Sequence, residues 1–338
     1  MAGGEDGLTA WLANLAGSGE RIGDDAALLE WGGRTLAVSV DTQRANVHFP
    51  IDLDPAAAAR RLLAVSLSDL AATGAEPRWA LLALGVDDDR TARRFLAALV
   101  RRGRSYGIEL IGGDTARPGA PGHLDASLTV IGEVPADGSP LARGAARPGD
   151  DLWVGGTVGE SALGLELVLR GARIAGRKPR LPADLPSDLV RAASRVVRRH
   201  LEPRPQLELG LALGKRSPPG AAIDISDGLA VDAARLCRSS GTGCVLHERE
   251  LVLRPDARRL AAYLELDPVA SVLGGGEDYV LLFTLPPNAG FNHPGCRPVG
   301  RVTSRAGMSL LREGGALEPL YPRGWDHLEA TTSGQSEG

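Results

Sequence analysis

Aspartate residues lie inside or directly after short apolar segments at widely separated places in this 338-residue chain. Asp224 is flanked by Ile223 and Ile225, Asp41 ends a valine-rich run, and Asp114 follows an Ile-Gly-Gly sequence. An ionised carboxylate among apolar residues is costly unless it is paired or binds a metal ion. The chain must therefore fold so that these acids meet cations.

The acids are more informative as a set than one at a time. Asp25 follows Gly23-Asp24, Asp69 lies one helical turn from Ser66, and Asp227 follows Asp224 closely. Each aspartate on its own could equally be an ordinary turn or N-cap residue. Several carboxylates without matching lysines favour hard cations such as Mg²⁺, which takes oxygen ligands and shares them with phosphate.

Lysine is almost absent, and this excludes one large class of phosphate-binding enzymes. The only lysines are Lys178 and Lys215. Lys215 follows Gly214 but precedes Arg216, and position 209 is not glycine, so the P-loop pattern fails. Any bound polyphosphate must be neutralised in another way.

Composition narrows the class of protein further. Hydrophobic residues make up 43% and charged residues 24%, as in ordinary globular proteins. A net charge of -4 offers no basic field for nucleic acid. We expect no membrane association, because no apolar run reaches the length of a span. Three irregularly spaced cysteines form neither a disulfide framework nor a zinc pattern, which favours a reduced, cytoplasmic protein.

Strand-like and helix-like segments alternate along both halves, so we expect a mixed α/β fold with two domains. Asp54-Pro55 predicts the start of a helix over 56–72 that ends at Gly74. The segment 141–148, rich in Arg, Ala, Gly and Pro, is the expected junction. We therefore expect an N-terminal domain over 1–140, a C-terminal domain over 148–330 and a disordered tail over 331–338.

Glycine-rich turns adjoin three of the expected strands, at 112–114, 155–159 and 274–278. Glycine lets backbone N–H groups approach phosphate oxygens, although a plain tight turn explains each one equally well. Ser226-Asp227-Gly228 lies between a strand and a helix N-terminus, where either a phosphate or an ordinary N-cap fits. Val154 replaces the first glycine of a dinucleotide fingerprint, which weakens an oxidoreductase interpretation.

Taken together, the motifs resemble the thiamine-monophosphate kinase family, in the superfamily shared with aminoimidazole ribotide synthetase. The resemblance covers nearly the whole chain and keeps the order and spacing of the family motifs. The segments that carry it are Ile22–Leu29, Asp41-Thr42, Val47–Phe49, Ser66–Ala72, Ile111–Thr115, Ile223–Leu229, Gly275–Tyr279 and Trp325–His327.

The resemblance implies a function and a set of site residues. It implies a homodimer whose N-terminal domains build a shared sheet or barrel, with ATP across the N-terminal domain and the interface. It implies the reaction ATP + thiamine monophosphate giving thiamine diphosphate + ADP, with several Mg²⁺ ions at each site. The positions that match metal-contacting residues are Asp25, Ser39, Asp41, Asp69, Asp114, Asp224 and Asp227. Those that match ATP-contacting residues are Tyr106, Gly113, Asp114, Arg143 and Ser226, and those that match substrate-contacting residues are His48, Glu277 and Trp325.

Two positions depart from the family pattern. Val40 replaces the usual threonine before Asp41, which removes a side-chain ligand. The family sequence Arg-Pro-x-Pro-Arg reads Glu202-Pro-Arg-Pro-Gln206 in this chain, which moves positive charge. Neither change touches the aspartates.

The ionisation state of the acceptor phosphate predicts direct transfer of the phosphoryl group. A phosphate monoester has a second pKa of about 6 and is mostly ionised at neutral pH, so it needs no general base. We expect catalysis by positioning and charge neutralisation, with no catalytic residues beyond the acids that position the metal. The alternatives are another superfamily enzyme, similar to aminoimidazole ribotide synthetase or selenophosphate synthetase, and an inactive ATP-binding regulator.

Overall fold

Two β-sheets organise the chain, and helices pack against both. The computed structural model describes residues 4–16, 22–175 and 178–322. The helices are α1 (Gly4–Ala16), α2 (Pro55–Thr73), α3 (Asp89–Arg104), α4 (Glu160–Leu169), α5 (Val190–Leu201), α6 (Leu207–Gly214), α7 (Leu229–Ser239), α8 (Pro255–Tyr263) and α9 (Pro268–Gly274). The strands are β1 (Ala27–Trp31), β2 (Arg34–Arg44), β3 (Glu76–Gly85), β4 (Glu109–Ala116), β5 (Asp125–Glu133), β6 (Asp151–Val154), β7 (Arg173–Ala175), β8 (Lys178–Arg180), β9 (Ala222–Asp224), β10 (Gly243–His247), β11 (Leu281–Leu285), β12 (Arg297–Thr303), β13 (Gly307–Leu311) and β14 (Leu317–Pro319).

The first sheet has five strands in the order β1-β2-β5-β3-β4, and only the β3–β4 pair is parallel. The second sheet has seven strands in the order β14-β13-β10-β12-β6-β11-β9. These two sheets confirm the expected mixed α/β class of fold. The predicted boundary at 141–148 stays a prediction; that segment lies between the last strand of one sheet and the first strand of the other.

Helix α2 is buried along almost its whole length and packs between the two sheets. Asp54 caps its start by accepting a hydrogen bond from the Ala56 N–H at 2.8 Å, and Gly74 ends it in the left-handed conformation. Ala57, Leu63 and Leu67 are among the side chains buried on its surface. The prediction from Asp54-Pro55 and Gly74 is confirmed because both ends are set by local chemistry.

One face of the first sheet packs against α2, and the other is open in this single chain. Val40, Thr129 and Leu81 lie side by side on that open face, on β2, β5 and β3. Val40 is 62% exposed and Leu81 39% exposed. An apolar, exposed sheet face of this kind is typical of an interaction surface.

Two other expectations can be compared with the structure. The Pro- and Arg-rich composition of segment 177–186 predicts a surface loop. In the structure, β8 within this segment pairs with β7 in a short two-stranded ribbon. The expected disordered tail over 331–338 lies outside the described residues. Among the helices that the structure describes, none is long and apolar enough to cross a membrane.

Candidate functional site

The centre of the site is built on β2 and α2. Alternate residues of a strand face the same side, so Ser39 and Asp41 of β2 both point toward the helix. Asp69 of α2 lies opposite them, and the Ser39 hydroxyl donates a hydrogen bond to Asp69 Oδ2 at 2.5 Å. The sheet and the helix thus bring the first two acids together.

Two further acids come from distant parts of the chain. Asp25 lies two residues before β1, and Asp224 is the last residue of β9 in the second sheet. Asp25, Asp69 and Asp224 each offer a carboxylate oxygen within 4.8 Å of the others. The carboxylates of Asp25, Asp41, Asp69 and Asp224 are called the acidic cluster below, and they lie where the two halves of the chain meet.

The acidic cluster is electrostatically unfavourable by itself. Burial and the charges of Asp41, Asp224 and Asp25 raise the pKa of Asp69 well above its ordinary value. Burial and the Asp25 charge do the same to the pKa of Asp224. Burial is also the main cause that raises the pKa of Asp41, to about 6. Like charges held this close resist ionisation unless a cation joins them.

Arg143 supplies part of the missing positive charge. Its Nη2 and Nε donate to the two oxygens of Asp25 at 2.7 and 3.3 Å, and its Nη1 donates to the Gly23 carbonyl at 3.0 Å. One guanidinium cannot balance four carboxylates. The backbone N–H of Arg143 also donates to Asp24, an acid that the sequence analysis did not select.

The acidic cluster suits a hard divalent cation. The Oδ2 atom of Asp41 is buried without a hydrogen-bond partner in the described part of the chain. Buried polar atoms normally have a partner, so this oxygen has room for a metal bond. Mg²⁺ takes oxygen ligands, among them protein carboxylates, and usually completes its coordination with water and phosphate oxygens. The donor atoms therefore fit the metal that the sequence analysis predicted.

Asp227 follows Asp224 of the acidic cluster by three positions in sequence, but it pairs with an arginine. Arg235 donates through Nη1 to both Asp227 and Asp232, and through Nε to Asp6. We call these four residues the arginine-paired cluster. The Ser226 and Asp227 N–H groups donate to Asp232 Oδ2 at 3.0 and 3.1 Å, so in this structure the turn before α7 is capped by the chain's own carboxylate.

Gly113 and Asp114 lie on β4, the edge strand of the first sheet. Three strand spacings of about 4.8 Å separate β4 from β2, or roughly 14 Å. Asp114 is exposed there and is not among the clustered carboxylates. A side chain at Gly113 would collide with β3, because a Cβ would lie 1.9 Å from the Leu82 carbonyl oxygen.

Tyr106 and His48, two further predicted nucleotide and substrate residues, each have a local polar contact. Tyr106 follows α3, and Arg102 stacks over its ring at 4.6 Å while donating to its hydroxyl at 2.7 Å. His48 lies in the turn after β2, where Nδ1 accepts the Arg44 N–H at 3.0 Å. Trp325 lies outside the described residues.

Glu277 is held by two residues that the sequence analysis missed. Its Oε1 forms an ion pair with Arg61 of α2, and its Oε2 lies 3.2 Å from His200 Nδ1. Glu277 has a positive φ of 54°, and its N–H donates to the Ser226 carbonyl at 2.6 Å. Arg61 was missed because a basic residue in a helix is normally read as solvent-facing.

In the segment 202–206, where the sequence departs from the family pattern, the side chains of Glu202 and Gln206 form hydrogen bonds. Glu202 accepts hydrogen bonds from Arg60 at 2.6 Å and Arg198 at 3.3 Å. The Gln206 side chain donates to the Gly155 carbonyl and accepts the Leu281 N–H at 2.7 Å. Both altered residues of this segment, Glu202 and Gln206, therefore have polar partners.

Comparisons with known proteins identify the family. Residues 23–134 match the family model described as AIR synthase related protein, N-terminal domain. The thiamine-monophosphate kinase of Escherichia coli strain K12 is 37% identical over 320 residues, which cover 91% of each chain.

Solved structures agree with this relationship. The structure of AaThiL complexed with AMPPCP and TMP has a TM-score of 0.82 at 29% identity, covering 96% of this chain and 97% of that chain. The hydrogenase maturation protein HypE, solved in complex with ATP, covers 90% of this chain and 89% of its own with a TM-score of 0.64. At 21% identity HypE shows a shared fold alone. The chain therefore belongs to the thiamine-monophosphate kinase family.

Proposed function

We propose that this protein transfers the γ-phosphoryl group of ATP to thiamine monophosphate, giving thiamine diphosphate and ADP. The single observation that carries the proposal is the buried acidic cluster in a member of this family. The related structure, titled as a complex with AMPPCP and TMP, supports the choice of both substrates.

We propose that Mg²⁺ binds at the acidic cluster. Asp25, Asp41, Asp69 and Asp224 would hold it. The raised pKa values of Asp41, Asp69 and Asp224 and the unpartnered Asp41 oxygen support this. When bound, such an ion neutralises phosphate charge and orients the reacting oxygens. Ser39, Asp114 and Asp227 stay predictions as further contacts, supported by the family resemblance.

We propose direct, in-line transfer without a covalent enzyme intermediate. The acceptor phosphate is already ionised at neutral pH, so the protein has to supply orientation and charge balance and no general base. Arg143 adds one fixed positive charge at the mouth of the cluster. His48 and Glu277 are proposed to bind thiamine monophosphate, while Tyr106, Gly113 and Ser226 are proposed to bind ATP.

We propose that the enzyme is a homodimer that pairs through the open face of the first sheet. The exposed row of Val40 and Leu81 supports this, as does exposed Ile111 on the β4 edge. Leu81→Glu should give a monomer by light scattering, whereas Leu169→Glu, an exposed leucine at the end of α4, should leave the wild-type mass. A wild-type mass of one chain would refute the homodimer.

A cytoplasmic location is proposed from the cysteines. Cys237, Cys244 and Cys296 all carry free thiols, and Cys237 and Cys244 are buried. Persistent free thiols fit a reducing compartment better than an oxidising one.

One assay tests the reaction and the acceptor together. Purified protein is incubated with ATP, Mg²⁺ and thiamine monophosphate, and thiamine diphosphate is measured by fluorescent derivatisation and chromatography. We expect product that requires Mg²⁺ and is absent when free thiamine replaces the monophosphate. If ATP binds but no product forms, the named acceptor is wrong and another superfamily activity has to be sought.

A further inference from the structure

Arg61 lies at the centre of a buried polar network that links α2 to the loop carrying Glu277. Its side chain is 0% exposed. A buried guanidinium is tolerated only where its charge and its N–H donors are satisfied. Its partners therefore indicate what this arginine does for the rest of the molecule.

The three partners of Arg61 come from three different elements. Nε donates to Gln43 Oε1 of β2 at 3.0 Å, Nη1 donates to the His200 carbonyl of α5, and Nη2 donates to Glu277 Oε1. The planar guanidinium fixes the directions of these bonds. The Glu277 carboxylate is thus tied to β2, the strand that carries Ser39 and Asp41.

His200 does not supply a positive charge to Glu277 in place of Arg61. The ring lies 3.2 Å from Glu277, but burial and the Arg61 charge lower its pKa well below the ordinary value. The imidazole is therefore neutral near pH 7. Among the ion pairs of the described residues, Arg61 supplies the positive charge that balances Glu277.

The backbone around Glu277 makes such support necessary. Gly276, Glu277 and Tyr279 all have positive φ angles, of 52°, 54° and 49°. Non-glycine residues in this conformation are strained and persist only where their surroundings hold them. Arg61 contacts the loop from the α2 side, while the Ser226 carbonyl accepts the Glu277 N–H from the other.

We propose that Arg61 is a positioning residue for the acceptor substrate. It holds Glu277 so that one charge-balanced carboxylate, 26% exposed, accepts a hydrogen bond from an N–H group of the heterocyclic acceptor. This inference rests on the proposed kinase reaction and adds a residue to it. Arg61 does not touch the acceptor itself, and it acts through Glu277.

The test compares Arg61→Met with a neighbour that bridges the same elements. Arg60 also lies on α2 and pairs with Glu202 after α5, but it does not contact Glu277. We expect Arg61→Met to raise KM for thiamine monophosphate about tenfold or more, with KM for ATP unchanged. Arg60→Met should leave both constants near the wild-type values, and Arg61→Lys should restore part of the loss.

A double-substitution cycle separates positioning from general damage. Glu277→Gln should weaken acceptor binding in the wild type but have little further effect in Arg61→Met, because the two residues act as one unit. Additive effects, or an equal loss of kcat with both KM values unchanged, would overturn the inference. If Arg61→Met does not fold, Arg61→Lys with Glu277→Gln provides the same cycle. A wild type that makes no thiamine diphosphate would instead refute the proposed function.

Discussion

The two groups of buried acids differ in how their charge is balanced. In the arginine-paired cluster, Arg235 lies between Asp227 and Asp232 and reaches Asp6 as well. In the acidic cluster, among the residues that the structure describes, only Asp25 forms an ion pair with an arginine, and Asp41, Asp69 and Asp224 mainly face each other. In the first group an arginine supplies positive charge, although burial still raises the pKa of Asp232 to about 7. We expect the second group to gain its counter-charge from a bound cation, as proposed above.

The largest expected effect tests the acidic cluster. Asp224→Asn should lower kcat about a thousandfold, because it removes a carboxylate from the proposed cation site. The same change should raise the melting temperature of the metal-free protein, since a neutral amide removes a buried like charge. Steady-state assays and thermal melts in a chelator measure the two effects.

Asp137→Asn is the control for this experiment. Asp137 is an exposed acid paired with Lys215, and its loss should change neither activity nor melting temperature. Two results would refute the proposed difference between the clusters. One is full activity of Asp224→Asn, and the other is a melting temperature below that of the wild type in the absence of metal.

The arginine-paired cluster should show the opposite behaviour. Arg235→Met leaves Asp227 and Asp232 without their shared cation and should lower the free energy of unfolding by about 3 kcal/mol. Urea denaturation of the chelator-treated wild type and variant provides the measurement.

Arg238→Met is the matched control on the same helix. Arg238 pairs with Asp6 at 2.7 Å but is largely exposed, so its loss should cost less than about 1 kcal/mol. Equal destabilisation by the two substitutions would show that the buried pairing has no special role.

The smallest expected effect is a pH dependence. Burial raises the folded-state pKa of Asp41 from 3.8 to about 6. Its contribution to stability is therefore complete below about pH 4 and is lost as the pH rises through about 6. The metal-free protein should lose about 2 kcal/mol of stability between pH 4 and pH 7. Chelator-treated samples melted across this range test the sign, and Asp41→Asn should flatten the profile. A rise in stability that Asp41→Asn abolishes would contradict the assigned direction.

The sequence predicts local features well. Helix α2 begins and ends where Asp54 and Gly74 predict, because a cap depends on residues within one turn. Asp224 was selected because its two isoleucine neighbours make an unpaired charge costly. Both predictions depend only on residues that are close in sequence.

Contacts between residues that are far apart in the sequence could not be predicted from it. Arg61 and Glu277 are 216 positions apart, and nothing near Arg61 in sequence shows that it is buried. The ribbon of β7 and β8 was missed because a Pro- and Arg-rich segment has low strand propensity and gains its pairing from the fold. The arginine partner of Asp227 likewise depends on how α7 packs.

Helix α2 carries both Asp69 and Arg61, eight residues apart on one nearly fully buried rod. At 1.5 Å per residue, these two positions are about 12 Å apart along the helix axis. Asp69 belongs to the acids proposed to hold the reacting phosphate. Arg61 contacts Glu277, the carboxylate proposed to bind the heterocycle. Because the helix between them is rigid, we expect the enzyme to select its acceptor by the distance between the phosphate and the ring of that molecule.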